Sequence, residues 1–164
     1  MSDMNSTPPP CSGQPGDPAI EGFVTLHLPC RYSYLRMIRQ SVIDMSARAG
    51  MSEFKSAQLE MAVDEACANV IEHSYGGEAS SMSNPNHPGL RINLMQCRDR
   101  IVIEIYDRGK GFDYDHQRVV NPDEYVSAER QRGLGMFIIH KFVDEVHYQR
   151  DNATGNCLKL TKLL

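Results

Sequence analysis

The chain is 164 residues long, 41% hydrophobic and 23% charged, which suits one soluble α/β domain and leaves too little for two. Its net charge is −4 with no Lys/Arg cluster, which argues against a nucleic-acid partner. No apolar run nears the roughly 20 residues of a membrane span, and no basic-then-apolar N-terminus marks a secretory signal.

Residues 1–19 contain five prolines and two glycines and almost nothing to bury, so they read as a disordered tail preceding a domain over 20–164. "GFVTLHLP" reads as a first strand. "YSYLRMIRQSVIDMSARAG" places Leu35, Ile38, Val42 and Met45 at helical spacing and stops at Gly50. A second helix starts at the N-cap candidate Ser52 and runs to Gly76-Gly77. Gly76 to Gly89 is a Ser/Asn/Gly/Pro-rich loop. "LRINLMQCRDRIVIEIYD" predicts a hairpin turned near Arg98-Asp99. Residues of about 108–133 show no clean periodicity and have the length of a lid. "LGMFIIHKF" predicts a short apolar helix, and "VDEVHYQRD" with "NCLKLTKLL" a second hairpin. Cys11, Cys30, Cys67, Cys97 and Cys157 lack CxxC or Cys/His spacing, the pattern of reduced thiols in a cytoplasmic protein. The order predicts an α+β domain with helices on one face of a mixed, mostly antiparallel sheet.

Three groups of residues suit chemistry. On the second helix Leu59, Val63, Ala66 and Val70 form a core arc, and Glu65, Asn69 and His73 line its shoulder at i, i+4, i+8. That row is either a solvated edge or the wall of a crevice. In a crevice, Asn69 offers a neutral hard oxygen to Mg²⁺, and Glu65 orients or deprotonates a nucleophile. In "IVIEIYDRGKGFD" the period of two puts Asp107 on the face of Ile101, Ile103 and Ile105. A carboxylate aimed at a core needs a partner. Asp107 either caps its own turn or accepts from a buried ligand donor such as the exocyclic amine of adenine. In the second case Gly109 and Gly111 allow close approach and Phe112 gives an apolar wall. In "RGLGMFII", Gly133 and Gly135 open a helix, which supplies either plain flexibility or a phosphate cradle of unpaired amides. Arg132 is either a solvated charge or a movable cation for that cradle.

"DEACANVIEH", then "DRGKGF", a lid and "RGLG" resemble, in that order, the three sequence boxes of the GHKL ATPase superfamily. Within it the chain most resembles the anti-sigma-factor serine kinases of the RsbW and SpoIIAB type, over roughly residues 20–164. The resemblance implies a two-layer α/β sandwich that binds ATP or ADP with Mg²⁺ between its layers. It implies Glu65 as general base or water-orienting acid, Asn69 as Mg²⁺ ligand and His73 near the phosphates or the lid. Asp107 would accept the adenine amine, in one box with Gly109 and Gly111. Gly133, Leu134 and Gly135 would face the phosphates with Arg132 nearby, and Thr161 would place a hydroxyl at the adenine pocket. The implied activity is phosphorylation of a STAS-domain anti-anti-sigma factor by a protein that also sequesters a sigma factor. The alternative is a nucleotide-binding partner switch that transfers no phosphate. A homodimer is expected from the resemblance, with Tyr32, Tyr34 and Leu35 as candidate interface residues.

Overall fold

Ile20–Leu28 (β1) pairs along one edge of a five-stranded sheet in the computed structural model, which describes residues 19–78, 88–111, 134–151 and 154–164. The tail, most of the 76–89 loop and most of the expected lid lie outside those residues, as do Phe112, Arg132 and Gly133. After a single tight turn at Tyr32–Tyr34, α1 spans Leu35–Arg48 and buries Leu35, Ile38, Val42 and Met45, the four positions the spacing predicts. Its end is closed by Gly50 N–H to Ala47 O (3.1 Å) and Met51 N–H to Ser46 O (3.0 Å), a Schellman pattern that satisfies two terminal carbonyls. Leu35 is a core residue, 7% exposed, and unavailable to the dimer face suggested for it.

Helix α2 (Glu53–Asn69) begins at Ser52, whose hydroxyl accepts from Lys55 N–H, and buries Leu59, Val63 and Ala66. The expected continuation towards Gly76-Gly77 changes winding at Asn69. Val70–Ser74 forms a wider π turn, with Tyr75 N–H bonded to Val70 O at 3.0 Å and Gly77 N–H to Ile71 O at 2.8 Å. Such turns insert one residue into a helix and redirect the side chains that follow.

Strands β2 (Leu90–Cys97) and β3 (Arg100–Asp107) make the predicted hairpin about Arg98-Asp99. Helix α3 (Leu134–Phe142) leads to β4 (Glu145–Asp151) and β5 (Gly155–Leu163), the second hairpin. The order is β1-β2-β3-β5-β4, and every neighbouring pair is antiparallel. The β3-α3-β4 crossover joins parallel strands, but β5 lies between them, so no parallel ladder forms.

Helix α2 packs against both α1 and α3. Between helices and sheet sit Ile38, Val42, Leu59, Val63, Ala66, Met136 and Ile139 with Ile92, Leu94, Ile101, Ile103, Ile105, Leu158 and Leu160, all at most 2% exposed. The other face of β3 is also closed. Glu104 is 0% exposed there, and its Oε2 accepts from Asn93 Nδ2 (3.2 Å) and Tyr106 Oη (2.8 Å). The described cysteines Cys30, Cys67, Cys97 and Cys157 are buried and form no disulfide. Among the described residues no helix is long and apolar enough to cross a membrane.

Candidate functional site

Asp107 is the last residue of β3, on the face that looks towards the helices, and is 4% exposed. Three donors from separate parts of the chain converge on its Oδ1. The Ser74 hydroxyl donates from the π turn, Asn156 Nδ2 from β5 at 2.8 Å, and Gly109 N–H from the turn after β3 at 2.9 Å. No described residue donates to Oδ2. Burial pushes the carboxyl above its usual range, and the bonds from Ser74, Asn156 and Gly109 oppose that rise. The arrangement combines a turn cap with an acceptor oxygen available to something else.

The same partners shape the Gly-rich turn. Ser74 Oγ accepts from Gly111 N–H at 3.0 Å and Ser74 O accepts from Lys110 N–H at 2.9 Å. Asn156 Nδ2 also reaches Gly109 O at 3.1 Å. Tyr75 Oη accepts from Arg108 N–H at 2.9 Å and donates to Gly89 O at 3.0 Å, tying the turn to the start of β2. Gly109 is required by contact, since a Cβ there would overlap the Ser74 backbone and hydroxyl. Gly111 is required by both contact and conformation. Its φ is +71°, and a Cβ would approach Tyr148 Oη to 2.8 Å.

The row on α2 stays together. Glu65 is half-buried, and its carboxyl is raised by burial first, then by Asp64 and Glu72, with His73 acting against them. A Cβ on Gly135 would overlap the Glu65 carboxylate, so this glycine lets the first turn of α3 close onto the acid. Glu65 thereby lies at the positive end of α3. Asn69 is half-buried, and its side chain makes no hydrogen bond among the described residues. His73 Nε2 lies 3.9 Å from Glu72 Oε2 with 43% of its side chain exposed. Leu134 is 43% exposed at the helix entry.

Thr161 does not join this group. It pairs with Val102, and since Val102 alternates with Ile101 and Ile103, Thr161 projects from the opposite face of the sheet. The residue facing Asp107 on β5 is Asn156, by direct register. Sequence reading overlooked Asn156, Ser74 and Tyr75. The signal for Asn156 was its place beside Gly155 at the start of the last strand, but only the β3–β5 register makes that place meaningful. A cavity of about 360 Å³ lined by His147, Tyr148, Gln149, Cys157 and Lys159 lies at β4 and β5 and contains none of the predicted site residues.

Residues 28–162 match the family described as the histidine kinase-like ATPase domain. The chain is 28% identical over 146 residues to the serine-protein kinase RsbW of Bacillus licheniformis, covering 87% of this chain and 86% of that protein. It is 29% identical over 148 residues to the serine-protein kinase RsbW of Staphylococcus aureus, covering 88% of each. In fold it is similar to a crystal structure of the RsbU and RsbW domains of a Mycobacterium tuberculosis protein, with a TM-score of 0.60 at 17% identity. That alignment covers 87% of this chain and 32% of the other.

Proposed function

The chain belongs to the histidine kinase-like ATPase family, and on that premise we propose that it is a cytoplasmic serine/threonine protein kinase. Its phosphoryl donor is ATP with Mg²⁺, its acceptor a STAS-domain anti-anti-sigma factor, and it sequesters a sigma factor through the same switch. The acceptor and the sigma factor enter through the resemblance to anti-sigma kinases, and the similarity to proteins named serine-protein kinase supports the activity.

The observation that carries the reading is the state of Asp107. One carboxylate oxygen is saturated by three donors and the other accepts from no described residue, at the end of a strand beside two glycines that bring the following turn close against Ser74 and Tyr148. An exocyclic amine such as that of adenine is the complementary donor. From Ser74 at this pocket, α2 leads back to Asn69 and Glu65. At about 1.5 Å per residue Glu65 lies roughly 13 Å away along the axis, so a base at Asp107 directs its phosphates towards those two residues.

Among the described residues no three His, Cys, Asp or Glu side chains gather to hold a metal. Asn69 with phosphate oxygens and water would be the donor set, and such a set suits Mg²⁺, which keeps much of its hydration. Bound Mg²⁺-ATP supplies the phosphoryl group and part of the charge neutralisation that governs its transfer. Glu65 takes the proton of the acceptor hydroxyl, a role its raised carboxyl favours over that of an ordinary exposed acid. Arg132, Gly133 and Gly135 are proposed for the phosphate side, and Phe112 for the wall of the base pocket.

Glu65→Gln is expected to keep ADP affinity and to slow transfer to a STAS-domain acceptor by at least ~10²-fold, the scale of a general base. Normal turnover in that variant refutes the role. Wild-type protein that binds ATP yet labels no STAS acceptor is a partner switch without kinase activity. The proposal includes a homodimer, and the edge strand β1 exposes Ile20, Phe23 and Val24 for it; light scattering reads the outcome directly.

A further inference from the structure

Ser74 has more connections to the Asp107 pocket than any residue the motifs single out. Its hydroxyl donates to Asp107 Oδ1 and accepts from Gly111 N–H at 3.0 Å, and its carbonyl accepts from Lys110 N–H at 2.9 Å. It is 3% exposed and is the last residue of the π turn that ends α2. A hydroxyl has one proton to give. With the Gly111 amide on one acceptor position, the hydroxyl proton is directed to Asp107 Oδ1, which also receives the Asn156 and Gly109 N–H groups and so acts there as an acceptor.

We propose that Ser74 is a positioning residue for Asp107: it fixes the rotamer and the acceptor state of the carboxylate that presents Oδ2 to a ligand's exocyclic amine, and it ties that state to the end of the helix bearing Glu65 and Asn69. The ligand half of this statement rests on the nucleotide-binding reading above; the hold on Asp107 does not. Burial alone favours the protonated acid, whose Oδ2 would carry hydrogen against an amine that must donate. Three donors on Oδ1 oppose burial, and the Ser74 hydroxyl is the only side-chain donor among them that belongs to the catalytic helix. Asn156 donates from the neighbouring strand β5 and the Gly109 amide from the turn itself.

Other groups around the carboxylate bear on its titration. The Cys30 thiol, pushed up to about 12 by burial and then by Asp107 and Glu78, adjoins it after β1. The phenol of Tyr75 and the charge of Arg108 flank it on the turn side. Tyr148 Oη and Arg150 Nε of β4 lie on the Gly111 side. Because the labelled Asp107 carboxyl is read directly, a shift on changing Ser74 belongs to that group and not to these neighbours.

The test uses the full chain with ¹³C-labelled aspartate. The Asp107 carboxyl is titrated by NMR without ligand in the wild type, Ser74→Ala and Ser74→Thr, and ADP affinity is measured by calorimetry across the same pH range. Ser74→Ala is expected to raise the Asp107 midpoint by about one pH unit, the worth of one net hydrogen bond to a charged group. The acid limb of ADP binding should move with it, costing about tenfold in affinity within that window, and Ser74→Thr should restore both. If Ser74→Ala does not fold, Ser74→Cys, with its weak S–H donor, is read in its place and should give a smaller rise. An unchanged carboxyl midpoint in the folded variant overturns the inference, whatever ADP does. A shifted midpoint in a protein that binds no ADP supports the hold on Asp107 and instead overturns the nucleotide reading.

Discussion

Strand β3 carries two buried carboxylates, Asp107 on its helix-facing side and Glu104 on the other, and they are held in different ways. Both place two or more donors on a single oxygen. The donors to Glu104 are Asn93 on the adjacent strand and Tyr106 two residues along, a local arrangement across one ladder in mid-strand. Its second oxygen, Oε1, is buried without a partner. The donors to Asp107 come from a helix end, a turn and a strand lying 33, 2 and 49 residues away in sequence. They meet at the last residue of the strand, where the chain leaves the sheet. Burial of an acid does not by itself mark a site. Each acid has one oxygen without a described donor, so the feature that separates Asp107 from Glu104 is the convergence of donors from three separate elements at a strand end, beside a tight glycine turn.

Substitutions that hit one acid and spare the other test this contrast. Asp107→Asn keeps the shape but puts an amide N–H where a ligand amine must donate, and calorimetry should find ADP affinity down about 100-fold, close to 2.7 kcal/mol. An unchanged affinity would show that Asp107 is a turn cap and nothing more. Glu104→Ala removes the acceptor of Asn93 and Tyr106 and leaves a void, so denaturant unfolding should report a loss of about 2 kcal/mol or more with ADP affinity intact.

The pH dependence separates the two variants further. The folded chain holds the Asp107 proton to higher pH than the unfolded chain does. Stability therefore falls as pH rises from the ordinary carboxylate range through the raised one, while ADP binding, which needs the ionised acid, grows over the same interval. Asp107→Asn should flatten that part of the stability curve, and Glu104→Ala should leave its slope in place. Tyr75→Phe cuts the link from the Arg108 amide to Gly89 and should cost about 1 kcal/mol. The smallest effect is expected at Thr161→Val: on the far face of the sheet, it should leave ADP affinity where it was.

The elements were largely legible because each has a local cause. Leu35, Ile38, Val42 and Met45 recur at helical spacing, Ser52 caps the helix it precedes, and the isoleucines of β3 alternate at period two, so these segments were recoverable residue by residue. Asp107 was legible for the same reason, as a polar residue breaking an apolar face. Glu104 was not, because the alternation marks it as outward-facing and nothing local reveals that the outward face is also closed. Thr161 was misplaced because choosing a hydroxyl on the last strand requires the strand's register, which depends on its pairing with Val102 of β3, 59 residues away in sequence.

Periodicity and caps, acting over a few residues, determined the strands, the helices and the single suspicious acid. Tertiary structure alone decided what that acid meets. The π turn brings Ser74 under the Gly-rich turn, and the β3–β5 ladder sets Asn156 opposite Asp107. Hydrogen bonds between groups so far apart in the chain form only after the sheet has closed, and their partners are chosen by register and packing.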